Sequence, residues 1–148
     1  MSREERLLGI DYGRARIGLA LSDAESRIAF PHSTYTRQSL AQDLDYLAKV
    51  VAEGRVDRVV LGLPLHLNDN ESAASREVKE FGTVLQAKLT VPVVYWDERF
   101  TTVEAEGFLW NAGLSHKKRK ARRDRVAAQI LLQSYLDAGS PDEAGETS

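Results

Sequence analysis

Asp11, Glu98 and Asp124 are three carboxylates set far apart in the chain, each placed where an element of structure could aim it at one point. Asp11 interrupts the strand-like run Leu7-Leu8-Gly9-Ile10-Asp11-Tyr12, and Glu98 follows the apolar run Val91-Pro92-Val93-Val94-Tyr95-Trp96. Asp124 follows the densest basic run in the chain and is expected to open a strongly apolar helix. Clustered carboxylates are hard oxygen ligands and suit a hard divalent cation. Magnesium needs only a few of them, because water and a substrate phosphate complete its shell. A cation held beside a basic surface suits phosphodiester chemistry. Each acid also has a plainer reading. Asp11 could cap the Gly13 turn, and Glu98 could be one of a solvated pair with Asp97. Asp124 could simply favour a helix N-terminus, satisfied by Arg122, Arg123 and Arg125. The chemical reading rests on all three falling where one sheet and one packed helix could bring them together.

The charge distribution points the same way. Residues 115–125 hold seven of the 20 basic residues and one of the 22 acids, so this segment is +6 and the remainder −8, although the net charge is only −2. A local patch of that size is an electrostatic footprint for nucleic acid even in an acidic protein. Lys117, Lys118, Arg119, Lys120, Arg122 and Arg123 are therefore candidate backbone contacts, and Arg14 and Arg16 beside Asp11 could clamp a phosphate. The plainer alternative for the run is a solvated loop. His32, His66 and His116 are scattered without metal-ligand spacing. The absence of cysteine excludes disulfides and thiolate metal sites and fits a reducing cytoplasm. No apolar run approaches the roughly 20 residues of a membrane span, and the charged N-terminus has no signal-peptide core.

The elements that must position these residues can be read in order. Residues 7–12 and 17–22 read as strands joined across Gly13, with Ile17, Leu19 and Leu21 alternating against Gly18, Ala20 and Ser22. A third strand at about 28–34 completes a meander. Ser39 caps a helix whose apolar residues are Leu40, Leu44, Leu47, Val50 and Val51, and Gly54 stops it. Val56–Leu63 reads as a strand buried on both faces. A polar loop follows Pro64. Residues 72–89 form a second helix with Val78, Phe81, Val84 and Leu85 inward. Val91–Trp96 is the next strand, and Thr101-Thr102-Val103-Glu104 is a capping box opening a short helix to Gly113. The basic segment is expected to be a loop, followed by a helix with Val126, Ala127, Ile130, Leu131 and Tyr135 as its core stripe. Crossover helices imply parallel strands and the opening meander is antiparallel. The expected fold is thus α/β, one domain over residues 1–138 with a mixed five-stranded sheet, and a flexible acidic tail at 139–148.

Four words in this sequence resemble the YqgF family, small bacterial proteins with a ribonuclease H-like fold, related to the RuvC Holliday-junction resolvases. They are Gly9-Ile10-Asp11-Tyr12-Gly13 with Arg16-Ile17-Gly18-Leu19-Ala20-Leu21-Ser22-Asp23; Gly62-Leu63-Pro64-Leu65; Asp97-Glu98-Arg99-Phe100-Thr101-Thr102-Val103-Glu104-Ala105; and Asp124 with Ala127-Ala128, Ile130-Leu131-Leu132-Gln133 and Tyr135-Leu136. The words occur in family order over residues 7–136. The resemblance implies that Asp11, Glu98 and Asp124 are the catalytic acids and the ligands of magnesium or manganese. It implies a cytoplasmic nuclease that matures the 5′ end of the 16S rRNA precursor or resolves Holliday junctions. Arg99 joins the expected nucleic-acid contacts, and a homodimer would suit a junction with two symmetric strands. Two positions depart from the family pattern. Residues 66–70, usually carrying glycine, read His-Leu-Asn-Asp-Asn, and Arg123 stands where an apolar residue is usual.

Two rival readings remain at this level. The first word also resembles a phosphate motif of the actin and sugar-kinase superfamily, but those proteins close two domains around a nucleotide and 148 residues supply one. A non-catalytic nucleic-acid binding module is the other, and the presence of all three acids weighs against it.

Overall fold

The chain was described from a computed structural model over residues 5–64, 72–98 and 115–141. Strands β1 (Leu7–Asp11), β2 (Arg16–Ser22) and β3 (Ala29–Thr36) form the antiparallel meander. Helix α1 (Leu40–Glu53) leads to β4 (Arg58–Leu63), and α2 (Ala73–Lys88) leads to β5 (Val93–Asp97). Both β4 and β5 are parallel to β1, giving a mixed five-stranded sheet in the order β3-β2-β1-β4-β5. Helix α3 (His116–Asp137) closes the fold.

Successive side chains of a strand point to opposite faces, and here the two faces differ in size. One face carries Leu8, Ile10, Ile17, Leu19, Val59, Leu61 and Leu63, which pack against Leu47, Val50 and Val51 of α1 and Val78, Phe81 and Leu85 of α2. The other carries Leu7, Ala20, Val60 and Val94, packed against Ala128, Leu132, Tyr135 and Leu136 of α3. Small residues on that second face let α3 settle close to the strands. A Cβ on Gly9 would lie 2.8 Å from Leu132 Cβ and 3.2 Å from the Ala128 carbonyl.

The five expected strands and the two helices expected from Ser39 and at 72–89 are present within a few residues, and β4 is buried along its whole length. Ser39 and Ser72 both close capping boxes, with Gln42 and Ser75. Several details differ from the sequence reading. Leu40 and Val84 are 47% and 38% exposed rather than inward. In α1 the buried first-turn residue is Asp43, which receives Arg37 Nε at 2.9 Å and the Gln38 amide at 2.8 Å. Burial alone would raise its pKa, yet the Gln38 amide, Arg37 and Tyr35 together hold it below the usual carboxylate value. In α3, Ala128 and Leu132 are buried beside Val126, Ile130, Leu131 and Tyr135, while Ala127 is only half-buried. The wider stripe follows from how closely the helix lies on Gly9.

The largest correction concerns the basic run. It is not a loop preceding the helix but the first half of α3, which starts at His116. The Ser115 side chain caps it, accepting from the Lys118 amide at 3.2 Å. Lysine, arginine and alanine are good helix formers, and residues 116–124 contain no glycine or proline to stop them. Asp124 consequently sits about two turns inside the helix, and Arg123 does not affect how the helix begins. The expected short helix at 101–113, the loop at 66–70 and Arg99 lie outside the described residues.

Candidate active site

Strand parity and register decide where the three acids point. On β1 the residues facing α3 are Leu7 and Gly9, so Asp11 is the next in that series. On β5 they are Val94 and Trp96, and Glu98 follows at the strand end. Asp97 has the opposite parity and shares its face with Val93 and Tyr95, which pack on the α1–α2 side. On α3, Asp124 lies one turn before Ala128, and so extends the buried stripe through Leu131, Leu132 and Tyr135 toward the helix N-terminus.

Two glycines make the convergence possible. Gly18 lies directly opposite Asp11 in the β1–β2 register. A Cβ there would stand 1.9 Å from the Asp124 carbonyl oxygen, so the α3 backbone rests on a strand position that has no side chain. Gly62 serves Glu98 in the same way, since a Cβ would lie 2.5 Å from Glu98 Oε1 and 2.9 Å from Leu131 Cδ2. The end of β5 is pinned to α3 by Trp96, whose Nε1 donates to Ser134 Oγ at 3.0 Å and whose ring meets Tyr135 edge-on at 5.6 Å. Trp96, Ser134, Gly18 and Gly62 were not singled out from sequence as parts of the site. The two glycines lie inside the family words, and that was their only signal.

The Asp11 carboxyl is hydrogen-bonded to Glu98 and close enough to Asp124 to respond to its charge. Burial, then the Glu98 hydrogen bond and charge, then the charge of Asp124, push its pKa well above the ordinary value. Asp11 keeps some solvent exposure as a residue, but its carboxyl is crowded by protein and by acids. An aspartate so placed holds its proton more tightly than usual unless a cation takes the proton's place.

The third acid is differently engaged. Asp124 Oδ2 accepts from Arg16 Nε at 2.6 Å, with 34% of the arginine side chain and 19% of the aspartate side chain exposed. Arg16 shares the parity of Gly18 and Ala20 on β2, which places it on the α3 face. Among the described residues no group of three or more histidine, aspartate or glutamate side chains is set closely enough to hold an ion. Arg14, expected to act with Arg16, instead reaches Glu77 of α2 at 3.3 Å, away from the acids. Lys118 and Arg123 are exposed on α3 and Arg122 is half-buried, and Lys117, Arg119 and Lys120 belong to the first turns of the same helix.

Behind Asp11, the adjoining turn is braced by a residue the sequence did not flag. Arg37 Nη1 donates to Tyr12 Oη at 2.7 Å and to the Gly13 carbonyl at 3.3 Å, and its guanidinium lies 4.8 Å from the centre of the Tyr12 ring. Asp43 orients that guanidinium from the other side.

Residues 5–138 match the family model described as RuvX, Holliday junction resolvase. A protein of Syntrophomonas wolfei is 44% identical over 135 residues, covering 91% of this chain and 96% of its own. One from Heliobacterium modesticaldum is 40% identical over 143 residues, covering 97% and 96%. Both carry the name "Putative pre-16S rRNA nuclease". Among solved structures, Thermus thermophilus RuvC in complex with a Holliday junction substrate aligns with a TM-score of 0.57 at 16% identity, covering 92% of this chain and 97% of that one. The fowlpox virus resolvase in complex with Holliday junction DNA aligns with a TM-score of 0.57 at 12% identity, over 92% and 99%. At these identities the likeness speaks for the fold, which is ribonuclease H-like. With its family match spanning nearly the whole chain and its curated relatives matched almost end to end, the chain belongs to the RuvX family, the same family that its YqgF-like words resemble.

Proposed function

We propose that this protein hydrolyses phosphodiester bonds in structured nucleic acid, with the 5′ end of the 16S rRNA precursor as its foremost substrate and four-way DNA junctions as the second. The family membership and the relatives' names support a nuclease. The observation that carries the assignment of its site is the hydrogen-bonded Asp11–Glu98 pair with Asp124 beside it, at the ends of parallel strands, under a helix whose N-terminal half is basic.

The donor set suits magnesium or manganese. Asp11 and Glu98 offer hard oxygens, and the raised proton affinity of Asp11 marks a place where negative charge lacks a counter-ion. Asp11 and Glu98 would hold the ion, and Asp124 would complete the set once its carboxylate leaves Arg16. A divalent ion bound there supplies an activated water and charge stabilisation at the leaving oxygen. The chain's own part is positional. Asp11 gives up the proton that its surroundings favour, and Trp96 and Gly62 hold Glu98 against the sheet. The basic turns of α3 hold the nucleic-acid backbone.

That basic half of α3 supports the same reading. Cations at a helix N-terminus oppose the helix dipole, and the first turn contains no acid to offset them. Phosphates docking there would relieve the conflict. Both substrates belong to the cytoplasm, where we place the protein. No helix among the described residues is long and apolar enough to cross a membrane. A homodimer, measurable by light scattering, would be the form suited to a junction.

The test is side-by-side cleavage of precursor rRNA ends and four-way junctions in magnesium, manganese and EDTA. Asp11→Asn, Glu98→Gln and Asp124→Asn should each lower the rate at least about 100-fold while staying folded. Asp97→Asn should retain most activity. Near wild-type rates in the three acid variants, or full activity in EDTA, would sink the assignment.

A further inference from the structure

Arg16 and Asp124 come from opposite ends of the chain, yet they form a close ion pair, at 2.6 Å. The pair is not a solvated surface contact. Asp124 is largely covered, and its backbone is seated on Gly18, two residues along the same face of β2 from Arg16. The same acid is near enough to Asp11 to act on it electrostatically, while Asp11 and Glu98 are joined by a hydrogen bond. Two acids are thus paired and the third is tied to an arginine. Among the described residues no three-acid set is close enough to hold an ion.

We infer that Arg16 is a positioning residue that holds Asp124 back from the Asp11–Glu98 pair in the cation-free protein and releases it when a divalent cation binds. This rests on the proposed metal-site reading of the acids. A guanidinium is an effective restraint here because it carries its charge at every working pH and offers a directed N–H to the carboxylate. The arrangement spares the protein a third unpaired carboxylate while the site is empty. Its cost is borne at cation binding, because the ion pair must open before Asp124 can serve as a ligand. Arg16 therefore lowers the affinity for the cation and limits the three-acid state to cation-loaded protein.

The test is manganese binding to the whole chain, followed by calorimetry and by the manganese EPR signal, with no nucleic acid present. Arg16→Gln should tighten manganese binding roughly three- to tenfold, as expected for removing one partly exposed ion pair. Arg16→Lys should stay near the wild-type affinity. Removing a positive charge near a cation would tighten binding for a trivial reason, so the gain is also measured in the Asp124→Asn background. There it should vanish, because no third carboxylate remains to be released. A gain that persists with Asp124→Asn, or an unchanged or weaker affinity in Arg16→Gln alone, overturns the inference. A wild type that binds no manganese, or whose binding survives Asp11→Asn, overturns the metal-site reading and the inference with it. Wild-type affinity lost with Asp11→Asn but indifferent to Arg16→Gln overturns the inference alone. A second readout needs no unstable variant. The Arg16 Nε–H resonance, assigned by its loss in Arg16→Lys, should move toward that of a solvated arginine on magnesium saturation. An unmoved resonance would mean that Arg16 keeps Asp124 throughout.

Discussion

Asp11 is the residue at which structure and chemistry compete. Burial and two neighbouring acids raise its pKa in the folded protein, whereas an unfolded chain returns it to the ordinary aspartate value of about 3.9. Between those two values the native state binds more protons than the unfolded state, so stability falls as pH rises through that window. Above the raised value the penalty is fully present. In EDTA the wild type should therefore melt at a lower temperature at about pH 8 than at about pH 5 through this group. Asn at position 11 keeps a donor for Glu98 without the charge. Asp11→Asn should flatten that dependence and, near pH 8 in EDTA, melt above the wild type. The order should reverse in magnesium, because only the wild type gains stability from the ion. Differential scanning calorimetry over pH with and without magnesium checks both parts. An Asp11→Asn variant less stable than wild type in EDTA at pH 8 would show that the acids are not in conflict. The same group sets the sign of the activity profile, since binding a cation requires Asp11 deprotonated, and activity should rise with pH through its raised pKa.

Among the elements, α3 does two jobs, and each can be disturbed separately. Its inner face depends on the notch at Gly18. The obstacle to a Cβ there is the backbone oxygen of Asp124 at 1.9 Å, which no rotamer change can remove. Gly18→Ala should destabilise the protein by about 1–3 kcal/mol, as overpacking does. It should also displace Asp124 and depress activity beyond what the lost stability explains. Chemical denaturation measured with single-turnover rates separates the two effects, and a neutral Gly18→Ala would refute the close seat of the helix. The outer job belongs to the basic turns. Replacing Lys117, Lys118, Arg119 and Lys120 with alanine should leave the fold intact, because alanine favours helix and the change removes cations from the unfavourable helix end. Nucleic-acid binding should weaken, and the slope of log K against log salt should flatten by about 0.7–0.9 for each phosphate no longer neutralised. Affinity should fall alike for different sequences of one shape, since a grip on the backbone carries no base information. An unchanged slope would make the run a solvated helix face.

For the molecule as a whole, the alternation of large Ile17, Leu19 and Leu21 with small Gly18, Ala20 and Ser22, and the apolar run of β4, were enough to read strands, because residue alternation and apolar runs are local signals, although both strands are buried on both faces. The acids were legible as positions at element ends. Their partners were not, since Arg16–Asp124 spans 108 residues and no local pattern encodes a pairing at that distance. The basic run misled for a related reason, in that charge suggested a loop where helix propensity and the Ser115 cap decide. Chain ends raise the same issue. Residues 139–148 read as tail, yet the Ser140 carbonyl accepts from Arg58 Nη1 at 3.2 Å and the Pro141 carbonyl from Tyr135 Oη at 2.6 Å. Both donors are buried, Arg58 at 6% exposure and Tyr135 at 0%, and Arg58 Nη1 also donates to Tyr135 Oη at 2.8 Å. A chain ended after Pro141 keeps both acceptors, while one ended after Ala138 loses them. The shorter chain should be less stable by about 1–3 kcal/mol, the cost of taking these two carbonyl acceptors away from buried donors, softened where water can enter. At this chain length each kcal/mol corresponds to roughly 2–4 °C in melting temperature. Tyr135→Phe removes one of the donors, so the loss on shortening should be smaller in that background than in the wild type. Equal melting temperatures for the two lengths would mean that residues 139–141 contribute nothing to the fold. A deficit of the same size with and without Tyr135→Phe would assign it to Arg58 alone.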